Sequence, residues 1–239
     1  MDTSGYIALT RQTGLLKEMQ TVANNIANIS TSGFRREGVV FAEAVQALDA
    51  EGGGIAMTTA RGRFTDALSG SMTQTGGVFD LAIDGPGFFM VETPLGERLT
   101  RAGTFTPNGE GDLVTMTGYR VLDSGGAPIF IPPDAGNIGV SEDGTMSANG
   151  KLLAQIGIFE VENPQMMLRE DGVMFLSETE ALPAENSRVK QGFVEGSNVN
   201  PVIEIARMIE VQRAYELGQN LLDAEDKRIR TSIKTLGQS

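Results

Sequence analysis

Hydrophobic residues near the start of the chain, between positions 7 and 29, recur at the spacing of an α-helix. One row repeats every seven residues, and a second row lies one position before it, so the apolar stripe is wider than a two-stranded coiled-coil seam. The first row is Leu9, Leu16 and Ala23, with Met19 and Ile26 three positions after its second and third members. The second row is Leu15, Val22 and Ile29. The pattern predicts an N-terminal helix of about 25 residues, roughly 38 Å long.

A stricter spacing of three and four marks the last part of the chain, after a helix-start signal at Asn200-Pro201. One of its two rows is large and apolar throughout, whereas the other is polar at three of five positions. In chain order the positions are Ile205, Met208, Gln212, Tyr215, Gln219, Leu222, Asp226, Ile229, Ile233 and Leu236. The pattern predicts a helix of about 36 residues, roughly 54 Å long, whose polar positions specify the register of pairing.

The middle of the chain has the texture of β-structure. Between residues 78 and 194, short apolar runs alternate with turn dipeptides such as Asn108-Gly109, Asp143-Gly144 and Asn149-Gly150. Residues 34–76 are mixed and include the breaker-rich stretch 51–54, EGGG. We expect an all-β domain preceded by an extended linker.

The predicted fold class is a mainly β central domain plus long N- and C-terminal α-helices that pair as a coiled-coil-like assembly domain. The predicted segments are an N-terminal assembly helix at 1–35, an extended linker with short strands at 36–77, an all-β domain at 78–194 and a C-terminal assembly helix at 195–239. The terminal helices can pair with each other or with other subunits, and the sequence leaves both arrangements open.

Charge separates the middle of the chain from its ends. The net charge is −12; residues 1–40 carry +1 and residues 200–239 are neutral, which leaves −13 on residues 41–199. Such an acidic middle repels phosphate backbones, so we expect no nucleic-acid binding. No run of about 18 apolar residues is present, so we expect no membrane span.

The residue types exclude several kinds of active site. The chain has no His and no Cys, which excludes Ser-His-Asp triads, Cys-His dyads and ordinary zinc sites. The glycine-rich stretches 84–87 and 108–112 resemble oxygen-rich Ca²⁺ loops, but they lack EF-hand spacing and favour hairpin turns. No Glu/Asp pair stands out among the 31 acids, so we predict no catalytic, cofactor-binding or metal site, and no enzyme.

Four motifs, in order, resemble signatures of the flagellar rod and hook protein family. They cover both ends and the middle of the chain: 24–35 (NNIANISTSGFR), 80–89 (DLAIDGPGFF), 99–105 (LTRAGTF) with 111–114 (GDLV), and 195–200 (EGSNVN) with 208–216 (MIEVQRAYE). The resemblance implies a structural subunit of the axial rod, used for motility and built without cofactors. By length, the chain is most similar to a proximal rod subunit.

The same resemblance implies partners and a location. Other rod subunits and further copies of this chain are the expected polymer partners, and the flagellar export apparatus is the expected route. The N-terminus lacks a basic region followed by an apolar run, so we expect export without a cleaved signal peptide, to the rod of the basal body in the periplasmic space. The alternatives are a distal rod or hook-type subunit, a secreted β-domain adhesin, and a carboxylate hydrolase.

The candidate site is therefore an assembly interface on the two helices. Asn24, Asn25 and Asn28 are unusual within a helix, and we interpret them as amides that bond a neighbouring segment. The candidate interface residues are Leu9, Leu16, Met19, Ala23, Asn24, Asn25, Ile26, Asn28, Ile205, Met208, Ile209, Gln212, Tyr215, Leu222 and Ile229.

Overall fold

The computed structural model of the protein describes residues 3–46 and 55–236. Packing divides the chain into two units, and each draws on separated parts of the sequence. The first unit takes the residues up to 27, residues 37–64 and those from 200 onward; the second takes residues 28–36 and 65–199. The division into four consecutive segments stays a prediction, and the breaker-rich stretch 51–54 lies outside the described residues.

The first unit holds both long helices and a two-stranded sheet of β1 and β2. Its elements are α1 (Thr3–Ala27), β1 (Glu37–Gln46), β2 (Ile55–Thr65) and α2 (Pro201–Leu236). The predicted start of α2 is confirmed, because the side-chain oxygen of Asn200 accepts hydrogen bonds from the backbone N–H groups of Val202 and Ile203, at 3.0 and 3.2 Å.

The predicted fold class is wrong. The described chain is mainly β, with one dominant helix, α2, and a shorter α1, and the two do not form a long coiled-coil pair with an apolar seam. Ile205 and Gln212 on α2 are exposed, as are Leu9 and Leu16 on α1. These four residues of the predicted seam therefore lie at the surface.

The physical reason is that one row of the contact face of α2 lies one residue away from the predicted row and includes the carboxylate Glu204 and the small residue Gly218. The buried and half-buried positions along α2 are Glu204, Met208, Val211, Ala214, Tyr215, Gly218, Leu222 and Glu225. One predicted row, with Met208 and Tyr215, lies on this face. The other row lies one residue earlier than predicted, where Glu204 and Gly218 gave no hydrophobic signal.

The second unit is built from β-strands and one short 3₁₀ turn, at Pro164–Met166. Its strands are β3 (Met72–Gln74), β4 (Leu81–Asp84), β5 (Phe88–Thr93), β6 (Gly96–Thr100), β7 (Phe105–Pro107), β8 (Leu113–Thr115), β9 (Arg120–Val121), β10 (Ile138–Val140), β11 (Thr145–Ala148), β12 (Lys151–Gln155), β13 (Ile158–Glu160), β14 (Leu168–Asp171), β15 (Met174–Leu176), β16 (Leu182–Pro183), β17 (Arg188–Gln191) and β18 (Phe193–Glu195).

Local pairing builds the larger sheets, and long-range pairing closes the unit. Among the described strands, nine form one sheet in the order β14-β15-β6-β5-β9-β8-β7, with β13 on β5 and β16 on β13. Strands β10, β11 and β12 form a second sheet. Antiparallel pairs β4–β17 and β3–β18 then bring the end of the unit back to its beginning.

Strand β5 separates two hydrophobic clusters. Phe89 and Val91 belong to the larger cluster, whereas Phe88 and Met90 belong to the smaller one. Side chains alternate across a strand, so both faces of β5 are covered. This is why its sequence is a continuous apolar run and does not alternate with polar residues.

The close approach of Gly103 to strand β4 gives a first prediction. A Cβ atom at Gly103 would lie 1.6 Å from the carbonyl oxygen of Leu81, and that backbone also donates a hydrogen bond to Gly103, at 2.8 Å. Gly103→Ala should lower the free energy of unfolding by about 3 kcal/mol, measured by urea denaturation. Gly109→Ala is the matched control, since a Cβ there meets nothing within 4 Å; equal midpoints for the two variants would contradict the prediction.

Candidate functional site

A buried ionic cluster of Arg35, Arg101 and Glu195 lies in the second unit, at three of the sequence motifs. Nη2 of Arg35 is 3.0 Å from Oε1 of Glu195, and Nη1 of Arg101 is 3.0 Å from Oε2. Each side chain is at most 3% exposed. One buried carboxylate therefore pairs with two buried guanidinium groups.

Backbone groups add further hydrogen bonds to this cluster. Arg101 donates hydrogen bonds to the carbonyl oxygens of Ile83 and Gly85, at 3.1 and 2.6 Å, and Arg35 donates to the carbonyl oxygen of Leu68. The N–H of Gly70 donates to Oε1 of Glu195, at 2.9 Å. These carbonyl dipoles offset part of the excess positive charge, because two cations share a single anion.

Burial dominates the electrostatics of the cluster. It lowers the pKa of Arg101 to about 10, because loss of water disfavours the charged guanidinium, while the carboxylate of Glu195 opposes that shift. Burial also lowers the pKa of Arg35, again against Glu195. A pKa of about 10 keeps Arg101 charged at neutral pH, and Arg35 forms a salt bridge with the same carboxylate.

The segment that carries Arg35 packs tightly against the backbone at the ends of strands β6 and β18. The N–H of Gly33 and the hydroxyl of Ser32 both donate to the carbonyl oxygen of Glu195, at 2.8 and 2.9 Å. Gly33 has φ of +70°, and a Cβ there would lie 2.2 Å from the backbone nitrogen of Ala102. Helix α1 ends at Ala27, so Gly33 serves this close approach and is not the last residue of the helix.

Asn198 ties together three backbone segments of the same unit. Its side-chain oxygen accepts from the N–H of Arg36, at 2.6 Å, and its amide donates to the carbonyl oxygens of Leu68 and Asp66, at 2.8 and 3.3 Å. Asp66 and Arg36 are also joined directly, since the N–H of Asp66 donates to the carbonyl oxygen of Arg36, at 2.8 Å. The motif residues at 195–198 thus act as structural hydrogen-bonding groups.

In the first unit, Asn25 links α1 to β1 and α2. Its side chain accepts from the N–H of Glu37, at 3.0 Å, and donates to the carbonyl oxygen of Glu37, at 2.8 Å. It also donates to Oε2 of Glu204, at 3.1 Å. Asn25 and Glu204 are fully buried, so both ends of this amide are satisfied inside the chain.

Polar contacts continue along the two helices and show that they run antiparallel. Glu18 pairs with Arg207, with its Oε1 2.7 Å from Nε, and the amide of Gln12 donates to the carbonyl oxygen of Tyr215, at 2.9 Å. The backbones approach closely at Gly218, where a Cβ would lie 2.3 Å from the Gln12 amide nitrogen. Pairing of α1 and α2 thus depends on specific polar contacts.

The structure places the predicted interface residues on different surfaces. Asn25 is buried and bonded within the chain. The half-buried residues are Met19, Ile26, Asn28, Met208, Tyr215 and Leu222. The exposed residues are Leu9, Leu16, Ala23, Asn24, Ile205, Ile209, Gln212 and Ile229. Whether the exposed set contacts other subunits stays a prediction.

Sequence reasoning missed Arg35, Arg101, Glu195 and Glu204 as interacting residues. The first three lie in the quoted motifs. The sequence feature that could have revealed them is a charged residue close to a glycine, which permits close approach of the backbone. Glu204 follows the helix-start signal directly, where a carboxylate is favoured by the helix dipole. Their partners are more than 60 residues away, and no local pattern reveals such pairings.

The described residues contain no group of three or more acidic side chains placed to hold a metal ion. Within the same residues, neither helix is long and apolar enough to cross a membrane. The buried charges of the cluster are fixed to one another and to backbone groups, an arrangement that stabilises the fold.

The buried ionic cluster predicts a large cost for removing its anion. Glu195→Gln leaves two buried arginines without a counter-charge, so the free energy of unfolding should fall by about 3–5 kcal/mol in urea denaturation. The control is Glu142→Gln, which removes the partner of Arg188 in a pair where both side chains are at least 70% exposed; we expect almost no change there. Similar losses for both variants would contradict the structural role of the cluster.

Asn25 gives a prediction with a pH signature. Asn25→Ala should cost about 2 kcal/mol by leaving the backbone groups of Glu37 unpaired. Asn25→Asp should cost more at neutral pH, because it places a second carboxylate beside Glu204. The extra loss should shrink as pH falls, since protonating one carboxylate of the folded pair removes the repulsion.

Thermal unfolding of both Asn25 variants from neutral to acidic pH measures this difference. Gln20→Ala, at an exposed position of α1, is the control. An Asn25→Asp variant as stable as Asn25→Ala throughout that range would show that Glu204 does not face residue 25.

Comparison with known proteins places these motifs in a family. Three family models match the chain: "Flagella basal body rod protein" at residues 6–35, "Flagellar hook protein FlgE/F/G D1 domain" at 82–148, and "Flagellar basal body rod FlgEFG protein C-terminal" at 190–235. The matched ranges include Arg35, Arg101 and Glu195.

Full-length relatives agree with these matches. The flagellar basal-body rod protein FlgF of Caulobacter vibrioides is 38% identical over 100% of this chain and 99% of its own length. FlgF of Rhizobium meliloti is 36% identical over 100% of both chains. The rod protein FlgG of Agrobacterium fabrum is 33% identical over 96% of this chain and 98% of its own length. The predicted resemblance is confirmed, and the chain belongs to the flagellar basal-body rod protein family.

Proposed function

We propose that this chain is a structural subunit of the flagellar basal-body rod, which assembles with other rod subunits and with further copies of itself to form part of the axial drive shaft. The observation that carries this proposal is the full-length similarity to rod proteins of several bacteria. Two relatives that match along the whole chain are named FlgF. The length of the chain, which resembles that of a proximal rod subunit, favours the proximal part of the rod.

The distribution of exposed apolar side chains supports assembly through the helices. Leu9 and Leu16 on α1 are 57% and 44% exposed, and Ile205 and Ile209 on α2 are 50% and 46% exposed. Leu9 and Leu16 lie seven residues apart on one face of α1, and Ile205 and Ile209 lie four residues apart on one face of α2, so each helix presents its own exposed apolar row. We assign contact with neighbouring subunits to these exposed rows, together with Ala23 and Ile229, because the half-buried rows already face the chain's own helices.

Assembly alone is the proposed activity, without catalysis. The charged motif residues Arg35, Arg101 and Glu195 stabilise the fold, which accounts for their burial without a chemical role. We also propose that the subunit leaves through the flagellar export apparatus and joins the periplasmic part of the rod. Family membership supports that route.

A deletion strain tests the proposed function. Without this chain, cells should be non-motile and their basal bodies, imaged by electron microscopy, should lack a complete rod; expression of the chain should restore both. Glu142→Gln should complement fully, since an exposed carboxylate has no catalytic task in a structural subunit. A motile deletion strain with intact basal bodies would contradict the proposal. Loss of motility from Glu142→Gln with normal folding and export would contradict a purely structural role.

A further inference from the structure

The turn between β11 and β12 contains an Asn-Gly pair in a left-handed backbone conformation. Ala148 pairs with Lys151 across the hairpin, so Asn149 and Gly150 form a two-residue loop. Both have positive φ, 51° and 76°, which is the pattern of a type I′ turn. Among the described residues, Asn149 is the only one other than glycine with a positive φ. The tip of this hairpin is therefore an asparagine followed directly by a glycine.

The reactive groups of this turn are accessible, and no hydrogen bond holds them. Asn149 and Gly150 are both exposed, and a Cβ at Gly150 would meet nothing within 4 Å. Within the described chain, neither the Asn149 carboxamide nor the N–H of Gly150 forms a hydrogen bond. The carboxamide lies against Gly136, where a Cβ would be 2.6 Å from its oxygen. That contact leaves the carboxamide able to rotate.

The second Asn-Gly pair of the sequence, Asn108-Gly109, is held in place. The side-chain oxygen of Asn108 accepts hydrogen bonds from the backbone N–H groups of Glu110 and Asp112, both at 2.9 Å. Rotation of this carboxamide toward the nitrogen of Gly109 breaks both hydrogen bonds. Their combined net strength corresponds to a rate lower by about tenfold or more.

An asparagine carboxamide can react with the backbone nitrogen of the next residue. The nitrogen of Gly150, after losing its proton to hydroxide, attacks Cγ of Asn149. An N–Cγ bond forms, the Cγ–Nδ2 bond breaks, and ammonia leaves with a proton from water, which yields a five-membered succinimide. Water then opens the ring: attack at Cγ gives aspartate, and attack at the backbone carbonyl carbon gives isoaspartate. Glycine favours the first step because it has no side chain to obstruct its nitrogen.

We propose that Asn149 is a site of spontaneous deamidation, which converts it to isoaspartate and aspartate while Asn108 is spared. The reaction needs only the folded chain and water, so it does not depend on the proposed function. Because no enzyme takes part, the converted fraction of a population of chains increases with the age of that population.

Conversion to isoaspartate alters the sheet that this turn joins. Isoaspartate adds one carbon atom to the backbone of a two-residue turn, so we expect the pairing of Ala148 with Lys151 to be lost. Met146 and Ala148 of β11 are buried in the larger hydrophobic cluster, and their burial depends on the register of that strand. The aspartate product fits the turn, since Asp-Gly also favours type I′. Isoaspartate, and not aspartate, therefore destabilises the sheet of β10, β11 and β12.

Ageing of the purified full-length protein tests the site. The protein is incubated in mildly alkaline buffer at physiological temperature, digested, and analysed by mass spectrometry with electron-transfer fragmentation, which distinguishes isoaspartate from aspartate. We expect Asn149 to convert faster than Asn108 by about tenfold or more, at a rate that increases with hydroxide concentration. In concentrated urea the two sites should convert at similar rates, because unfolding removes the hydrogen bonds of Asn108.

The matched control is Asn149→Gly. Gly-Gly also forms a type I′ turn, so this variant keeps the hairpin and lacks the carboxamide; circular dichroism before ageing checks that it folds. After ageing, the wild-type protein should contain a population with a lower midpoint of urea denaturation, in proportion to its isoaspartate content. The aged variant should keep its original midpoint.

Three outcomes would overturn the proposal. The first is equal conversion of Asn149 and Asn108 in the folded chain. The second is an unchanged Asn149 in the folded chain after the urea-unfolded chain has converted. The third is an equal fall in midpoint for aged wild type and aged Asn149→Gly, which would place the destabilising change elsewhere in the chain. None of these measurements depends on motility or assembly.

Discussion

The carboxylate of Glu195, buried between Arg35 and Arg101, is the interaction on which the second unit depends. Burying a single charge is costly, and burying three is tolerated only when each is paired and hydrogen-bonded. Here the carboxylate pairs with both guanidinium groups and accepts from a backbone N–H, and the carbonyl oxygens of residues 68, 83 and 85 accept from terminal nitrogens of the two arginines. The Nε atoms of both arginines are buried without a hydrogen-bond partner among the described residues. Such a cluster tolerates little rearrangement, so it specifies one arrangement of the segments that meet there.

The topology shows why a specific interaction is useful at this position. Strands β3 and β4 are completed by β18 and β17, more than 100 residues later. Closing such long loops costs conformational entropy before any contact is gained. Glu195 is the last residue of β18, so the ionic cluster forms where the chain returns. It thereby stabilises the pairing with the greatest sequence separation.

The helices of the first unit follow a related principle, with hydrogen-bonded amides beside one ion pair, Glu18–Arg207. Asn25, Glu18 and Gln12 contact α2 and β1 through hydrogen bonds, and Gly218 lets the backbones approach. Polar pairing of this kind specifies register more than it stabilises the pair. It also leaves apolar rows of both helices at the surface, which is unfavourable for an isolated chain and useful for a subunit that meets others.

Much of the local structure could be predicted from the sequence because its causes are local. The two helices, the cap at Asn200 and the turns at Gly144 and Gly150, both with positive φ, follow from hydrophobic spacing and the conformational freedom of glycine. The family motifs were recognisable for the same reason. One row of the α2 contact face was predicted one residue too late. Hydrophobic periodicity favours the apolar Ile205 over Glu204, and it contains no information on the Asn25 amide that hydrogen-bonds to Glu204.

The sequence by itself therefore determined the helices, many of the turns, the absence of His and Cys chemistry and membership of the rod family. Only the tertiary structure decided which helix faces are covered, and that Arg35, Arg101 and Glu195 form one buried cluster. Periodicity records how often a residue type recurs along one element. Burial of a charge depends on its counter-charge, which here comes from residues 94 and 160 positions away along the chain.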